Sequence, residues 1–185
     1  MKSVGLMMSL VLLFILIIQN GCNNRKDEPL PVVPDDSLHR VDTSGIRLEW
    51  STVAGAMLVK VSAPTTGWVA VGYDPTPGMG MKDANIIIGY VLNDSAYFED
   101  DYGSGPGSHA SDVSGGGVDN CTAIDGHETA GRTELQLIIP LDSGDSFDRK
   151  LNVGETYKVI LAYGEDNADN FTGYHKFRIV VDMKM

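Results

Sequence analysis

GWVAVGYDPTPGMGMKDANIIIGY, residues 67–90, is the stretch of this sequence that decides the fold. It contains two short apolar runs, 68–73 and 85–91, that are rich in β-branched or aromatic residues and are bounded by Gly, Pro or Asp. Such runs are typical of β-strands. The connection between them cannot be helical, because its prolines lack amide hydrogens and its glycines permit tight turns. We therefore predict a strand, a loop and a second strand.

The chain beyond this stretch continues in short strands and turns. Ile46, Leu48 and Trp50 alternate with charged residues, which indicates a strand with one buried face. Further strands are predicted at residues 57–63, 96–102, 118–124, 133–140, 156–163 and 176–182. Since no segment shows a sustained helical stripe, residues 41–185 are predicted to form one all-β domain. Its expected architecture is an immunoglobulin-like antiparallel β-sandwich of about nine strands.

The N-terminal segment has the composition of an export signal. Lys2 precedes an apolar run over residues 4–18, which is shorter than the ~20 residues of a membrane span. Cys22 follows Gly21, as a lipidated cysteine does in bacterial lipoproteins. We expect residues 1–21 to be a signal peptide and Cys22 to carry a lipid anchor, with ordinary secretion or an uncleaved N-terminal anchor as alternatives.

All three alternatives export the domain. The polar, Pro-rich residues 22–40 are then predicted to be a flexible tether. The expected location is a bacterial membrane, with the domain facing the periplasm or the cell exterior. The state of Cys121 depends on Cys22: it is a lone thiol if Cys22 is lipidated, and a disulfide between the two becomes feasible if it is not.

The charge of the chain restricts its partners. Lys and Arg number 14 against 25 Asp and Glu, which gives a formal net charge of −11. Nucleic acids and anionic lipid surfaces are excluded as partners because they require the opposite sign. A cationic partner, such as the basic face of an electron carrier, is favoured. No catalytic motif such as G-x-S-x-G or HExxH occurs, so we do not predict an enzyme.

Three kinds of side chain are candidate ligands. Met79 and Met81 occupy a turn where polar residues are usual, either as packing groups or as soft metal ligands. Of the 4 histidines, His175 stands where a loop enters the last strand, and it either bonds a backbone carbonyl or holds a ligand. The remaining histidines lie in polar, turn-rich sequence and are expected to be solvated: His39, His109 and His127. The acidic runs 99–101 and 165–167 lack EF-hand spacing, so solvated turns are predicted there rather than calcium sites.

The order of these motifs resembles the DOMON domain family. The first half of that family has approximately GW-x-A-x-G and then M-x-G-A-D before an apolar strand, and here Asp83 and Asn85 stand in place of its Gly and Asp. Three segments of this chain resemble the second half of the family pattern: GRTELQLIIPLDSGD at 131–145, GETYKVILAYGEDNADNF at 154–171 and the closing Tyr174-His175. The resemblance covers most of residues 50–181.

This resemblance implies a cytochrome b function. Haem-binding members hold haem b non-covalently between a Met of the first loop and a His near the last strand, at the end of the sandwich. Carried over, those axial ligands are Met81, with Met79 as the substitute, and His175. Met/His ligation favours one-electron transfer or redox sensing with a partner protein. Residues on the adjacent strands are expected to line the haem slot: Trp68, Ile86, Ile88, Tyr90 and Phe177.

A carbohydrate-binding module is the alternative function, because some members of the family are thought to bind sugars. In that case three aromatic rings would stack on a pyranose while Asp83 and Asn85 accept hydrogen bonds from its hydroxyl groups. Those rings belong to Trp68, Tyr73 and Tyr90.

Overall fold

The structure is a computed structural model that describes residues 38–185. The predicted signal peptide, the lipidation site Cys22 and all but the last residues of the predicted tether lie outside the described residues. Within residues 38–185 there are eleven β-strands and one short helix. The strands are β1 (His39–Thr43), β2 (Ile46–Val53), β3 (Ala56–Ala63), β4 (Val69–Tyr73), β5 (Asn85–Leu92), β6 (Ser95–Gly105), β7 (Ser108–Ser111), β8 (Thr122–Thr129), β9 (Arg132–Pro140), β10 (Thr156–Tyr163) and β11 (Phe177–Lys184), and the helix is α1 (Asp112–Gly115).

The strands form two antiparallel sheets packed face to face. One sheet has five strands in the order β1-β2-β3-β9-β8, and the other has six in the order β11-β10-β4-β5-β6-β7. The inner faces of both sheets share one hydrophobic core, in which Leu48, Val61, Val71, Leu137 and Leu161 are at most 2% exposed. This arrangement confirms the predicted antiparallel β-sandwich.

Burial along the strands distinguishes one-sided from two-sided sheet regions. Strand β9 alternates strictly between buried and half-buried residues, because only one of its faces meets the core. Strand β4 is buried at every position, and β5 is buried at its first five. Something must therefore cover the outer face of the six-stranded sheet over β4 and β5, and a second apolar cluster lies there.

The structure differs from the sequence prediction at three places. The first strand starts at His39, two residues before the predicted domain boundary, and His39 stacks on Trp50 with ring centroids 5.4 Å apart. The Gly/Ser-rich segment after β6 folds into β7 and α1, since Ser111 caps the helix and Gly116, at φ 91°, ends it. The strand predicted at 118–124 instead begins at Thr122. None of these segments carries a clear apolar period, so pattern alone missed them.

No helix among residues 38–185 has the length and apolarity needed to cross a membrane.

Candidate functional site

A cavity of about 910 Å³ lies on the outer face of the six-stranded sheet. Its floor is made by the outward-facing side chains of β4, β5 and β10, and three segments cover it: the β4–β5 loop, the β6–β7 hairpin and the β10–β11 loop. The volume falls at the upper end of the usual range for small-molecule and cofactor sites, which is about 300–1,000 Å³. The sandwich therefore carries a ligand-sized site on one outer face.

Small residues shape the floor of this cavity. Ala70 and Gly72 of β4 pair with the larger Ile88 and Ile86 of β5, and Ala162 of β10 pairs with Ala70 on the other side of β4. On the opposite face of β4, Val69, Val71 and Tyr73 enter the main core. The run GWVAVGY thus places bulky side chains inward and mostly small ones outward, and the small ones leave room for a ligand against the sheet.

Backbone contacts fix the position of Met81, which lines the cavity and is half-buried. Its amide donates to the carbonyl of Pro106 at 3.3 Å, and its carbonyl accepts from Ala84 at 3.1 Å. Farther along the loop, the amide of Asp83 donates to the Gly103 carbonyl at 2.8 Å. The β4–β5 loop is therefore fastened to the β6–β7 hairpin, and Met81 is presented from an ordered turn.

The departure from the DOMON pattern at Asp83 has a conformational explanation. Asp83 has φ 62°, in the left-handed region that favours glycine, and Asp is among the residues that tolerate it. Its carboxylate also accepts a hydrogen bond from the Thr76 hydroxyl across the loop, at 2.5 Å. Asp83 therefore supports the same turn that a glycine would form, so the substitution leaves Met81 at the same position of the loop.

His175 reaches the same cavity from the β10–β11 loop. The loop is anchored at its end because the amide of Lys176 donates to the Tyr163 carbonyl at 2.8 Å, directly before β11 pairs with β10. Lys176 also forms ion pairs with Glu165 at 3.1 Å and Asp166 at 3.7 Å. The acidic run 165–167 is exposed, as predicted.

The strand register places the two loops at opposite ends of β4. The β4–β5 loop leaves β4 at Tyr73, whereas the β10–β11 loop leaves β10 at Tyr163, which pairs with Val69 at the other end of β4. Met81 and His175, far apart in the sequence, thus approach one cavity from opposite ends. The cavity lies over the face of the sheet rather than at the end of the sandwich, which corrects the location implied by the resemblance.

The other residues proposed for the slot divide into three groups. Trp68, Ile86 and Ile88 line the cavity as expected. Tyr90 packs against the outer-face cluster, stacked on Tyr97 with centroids 5.1 Å apart. Phe177 does not line it: its ring stacks on Tyr163 and packs against the main core. Side chains of a strand alternate between its faces, and Phe177 is one and three positions from the outward-facing Arg178 and Val180. Met79, the substitute for Met81, is 40% exposed and is not among the lining residues.

Sequence reasoning missed several lining residues, among them His109, Arg178 and Phe171. His109 was expected to be solvated, yet its side chain is only 23% exposed and its Nδ1 is bonded to the carboxylate of Asp101. The hairpin formed by β6 and β7 folds this polar segment over the cavity. A possible signal was the pairing of a lone histidine with an aspartate eight residues earlier, which a hairpin brings together.

The His109–Asp101 contact leads to a prediction about pH. The hydrogen bond that the His109 imidazole donates to Asp101 raises the pKa of His109 above its ordinary value, and burial opposes this only in part. Because the pKa is raised in the folded state, the associated stabilisation is fully present below about pH 6.5 and is lost as pH rises through the folded-state pKa. We expect an NMR titration of the His109 imidazole to give a lower pKa in Asp101→Asn than in the wild type. An identical pKa in the variant would contradict the assigned cause.

Comparison with known proteins identifies the family of this chain. The DOMON domain model matches residues 42–164, well over half of the chain. The chain belongs to the DOMON domain family. The match includes the Met81 loop and ends at the start of the loop that carries His175, so membership by itself says nothing about the second candidate ligand.

Two solved structures share the DOMON fold of this chain. One is the cytochrome domain of cellobiose dehydrogenase from Myriococcum thermophilum, with a TM-score of 0.56 and 9% identity over 80% of this chain and 81% of that one. The other is the cytochrome b domain of pyranose dehydrogenase from Coprinopsis cinerea, with a TM-score of 0.56 and 9% identity over 79% of this chain and 80% of that one. At this identity the likeness establishes the fold alone.

The residues around the cavity fit a haem group. The apolar floor and the ring of Trp68 suit a flat, largely apolar macrocycle. Met81 and His175 offer a thioether and an imidazole, both of which ligate haem iron. Arg178 adds a guanidinium at the cavity wall, which suits the carboxylates of the haem propionates.

Proposed function

We propose that this DOMON domain binds haem b non-covalently in the outer-face cavity, with Met81 and His175 as the axial ligands. One observation carries the proposal: these two residues, from loops at opposite ends of β4, line the same apolar cavity. A thioether and an imidazole that face one apolar slot from its two ends are a ligand pair that suits a soft metal centre. The cytochrome domains that share the fold support the choice of haem.

Bound haem b would supply one-electron chemistry at its iron, and the protein residues would adapt it to electron transfer. Two strong protein ligands leave no position for a substrate, so a carrier or redox sensor is favoured over a catalyst. Trp68 and the isoleucines of β5 would keep water from the apolar part of the group. Tyr174, which is 93% exposed, stands at the rim beside His175, on the side open to a partner.

We also propose that the domain works outside the cytoplasm, tethered through a lipid on Cys22, and exchanges electrons with a protein that presents a basic face. The support is the N-terminal composition and the formal net charge of −11. The sugar-binding alternative is less favoured by the structure. Tyr73 is 1% exposed in the main core and Asn85 is 6% exposed, and neither residue lines the cavity, so two of the predicted sugar contacts are not available there.

An absorption spectrum tests the proposal directly. We expect the full chain to bind added haemin in a 1:1 ratio and to show a low-spin b-type spectrum that sharpens on reduction with dithionite. A protein that stays colourless in the presence of haemin, although circular dichroism shows it to be folded, would refute haem binding and leave the fold assignment intact.

A further inference from the structure

Three aspartates from separate parts of the chain meet away from the outer-face cavity. Asp100 lies in β6, Asp112 begins α1, and Asp148 lies in the β9–β10 loop. Each contributes one carboxylate oxygen to a group whose members all lie within 4.8 Å of one another. Asp100 is 2% exposed and Asp112 is 0% exposed. The prediction of solvated turns for the acidic run 99–101 is therefore wrong for Asp100, because the run lies inside a paired strand.

Four of the six carboxylate oxygens in this cluster lack a hydrogen-bond donor. Both carboxylate oxygens of Asp112, Oδ1 of Asp100 and Oδ2 of Asp148 are buried without a partner. Across residues 38–185, no Lys, Arg or His forms an ion pair with any of the three aspartates. Such groups are costly to bury, so something must compensate their charge.

A neutral side chain gives an independent indication of what is missing. Asn85, at the start of β5, is 6% exposed, and its Nδ2 donates to Oδ1 of Asp148. The amide oxygen of Asn85 is itself buried and has no partner. Asn120 behaves similarly: its backbone amide donates to Asp100 at 2.8 Å, and its buried side-chain oxygen is unpartnered. Buried oxygens without a partner are therefore found both on the three aspartates and on the two asparagines that contact them.

Two arrangements would compensate these charges: protonation of the aspartates, or a bound cation. Burial is the main cause that raises the pKa of Asp100 to about 9 and that of Asp112 to about 7, and the neighbouring carboxylates add to it. Each proton supplies only one O–H donor, so protonation satisfies the unpartnered oxygens one at a time, whereas a single cation is shared by oxygens of all three aspartates. A donor set made only of oxygens suits a hard cation, and calcium accepts about 6–8 such ligands in flexible geometry.

We propose that Asp100, Asp112, Asp148 and Asn85 form a calcium site that fastens the β9–β10 loop and the α1 segment to the edge of the six-stranded sheet. Existing contacts already bring these segments together: the ring of Phe147 packs on Tyr102 with centroids 4.4 Å apart. None of the four proposed ligands lines the outer-face cavity. The calcium site is therefore separate from the proposed haem site, and we expect it to act on stability.

Calcium titration of the chelator-treated full chain tests the proposal. We expect calorimetry to show one calcium bound per chain, and calcium in place of EDTA to raise the melting temperature at pH 7. The rise should be about 5–10 °C when free calcium exceeds its Kd by about 100-fold. Asp112→Asn keeps the shape of the side chain and removes its charge, so we expect its calcium affinity to fall by about 10-fold or more.

The behaviour of Asp112→Asn in EDTA separates a calcium site from a protonated cluster. In EDTA the variant should melt at or above the wild-type temperature, because repulsion is relieved, and in calcium it should melt below the wild type. Asp182→Asn is the matched control, since Asp182 is exposed in β11 and pairs with Lys158 at 2.7 Å, and it should respond to calcium as the wild type does. Should Asp112→Asn fail to fold, Asp148→Asn replaces it. Absence of bound calcium, or an unchanged affinity in the variant, would overturn the proposal.

Discussion

Replacement of His175 by alanine is expected to abolish haem retention. In the proposed site the imidazole would be the ligand that serves both oxidation states of iron, and His175 brings an imidazole to the cavity from the β10–β11 loop. We expect the affinity for haem to fall by about 100-fold or more, which corresponds to about 2.8 kcal/mol. Haem content per chain after gel filtration, together with the reduced spectrum, measures the effect.

Three variants make this result specific. His127→Ala removes a histidine that is 53% exposed on β8 of the other sheet, and it should keep wild-type haem content. Met81→Leu should retain some haem but lose the thioether, which lowers the midpoint potential by about 0.1 V, a part of the span of about 0.8 V set by axial ligands. Met79→Leu is its matched control and should leave the potential unchanged, because Met79 is not among the lining residues.

A wild-type haem content in His175→Ala would show that His175 is not a ligand, and His109 would then be the next candidate because it lines the same cavity. A misfolded variant is recognised by circular dichroism. Added imidazole gives a further check: it should restore the low-spin spectrum to His175→Gly if the lost group acted only as a ligand.

Replacement of Gly103 by alanine is expected to destabilise the domain and to displace Met81. A Cβ atom at Gly103 would lie 1.7 Å from the carbonyl oxygen of Met81 and 3.0 Å from the amide nitrogen of Asp83. These are backbone atoms of a hydrogen-bonded turn, so they cannot move aside as a flexible side chain can. We expect a loss of about 3 kcal/mol or more in the free energy of unfolding, beyond ordinary overpacking.

Thermal and urea unfolding measure this loss, which should lower the melting temperature by about 6–12 °C. Gly107→Ala is the matched control on the same hairpin, because a Cβ atom there meets nothing within 4 Å. At temperatures where Gly103→Ala is still folded, its haem spectrum should also lose the signature of methionine ligation. Equal stability of the two glycine variants would show that the close approach of β6 to the Met81 loop does not hold in solution.

The all-β class was accessible from sequence because it follows from local pattern. The alternation of Ile46, Leu48 and Trp50 with charged residues indicates a strand with one buried face, and turn residues indicate where strands end. The same logic failed for Phe177. The sequence does not say which face of β11 looks outward, and a shift of one residue moves every side chain of a strand to the other face. It also failed for His109 and Asp100, whose polar surroundings in the sequence suggested solvent although strand pairing buries them.

By itself the sequence determined the fold class, the acidic character of the chain and the two loop residues, Met81 and His175, that a resemblance marks as ligands. Only the tertiary structure decided that both loops cover one outer face of the six-stranded sheet, and that three aspartates from distant segments become neighbours. The physical reason is that composition and periodicity are local properties. The convergence of the two loops on one cavity, in contrast, depends on the register of β4 against β5 and β10, which long-range packing fixes.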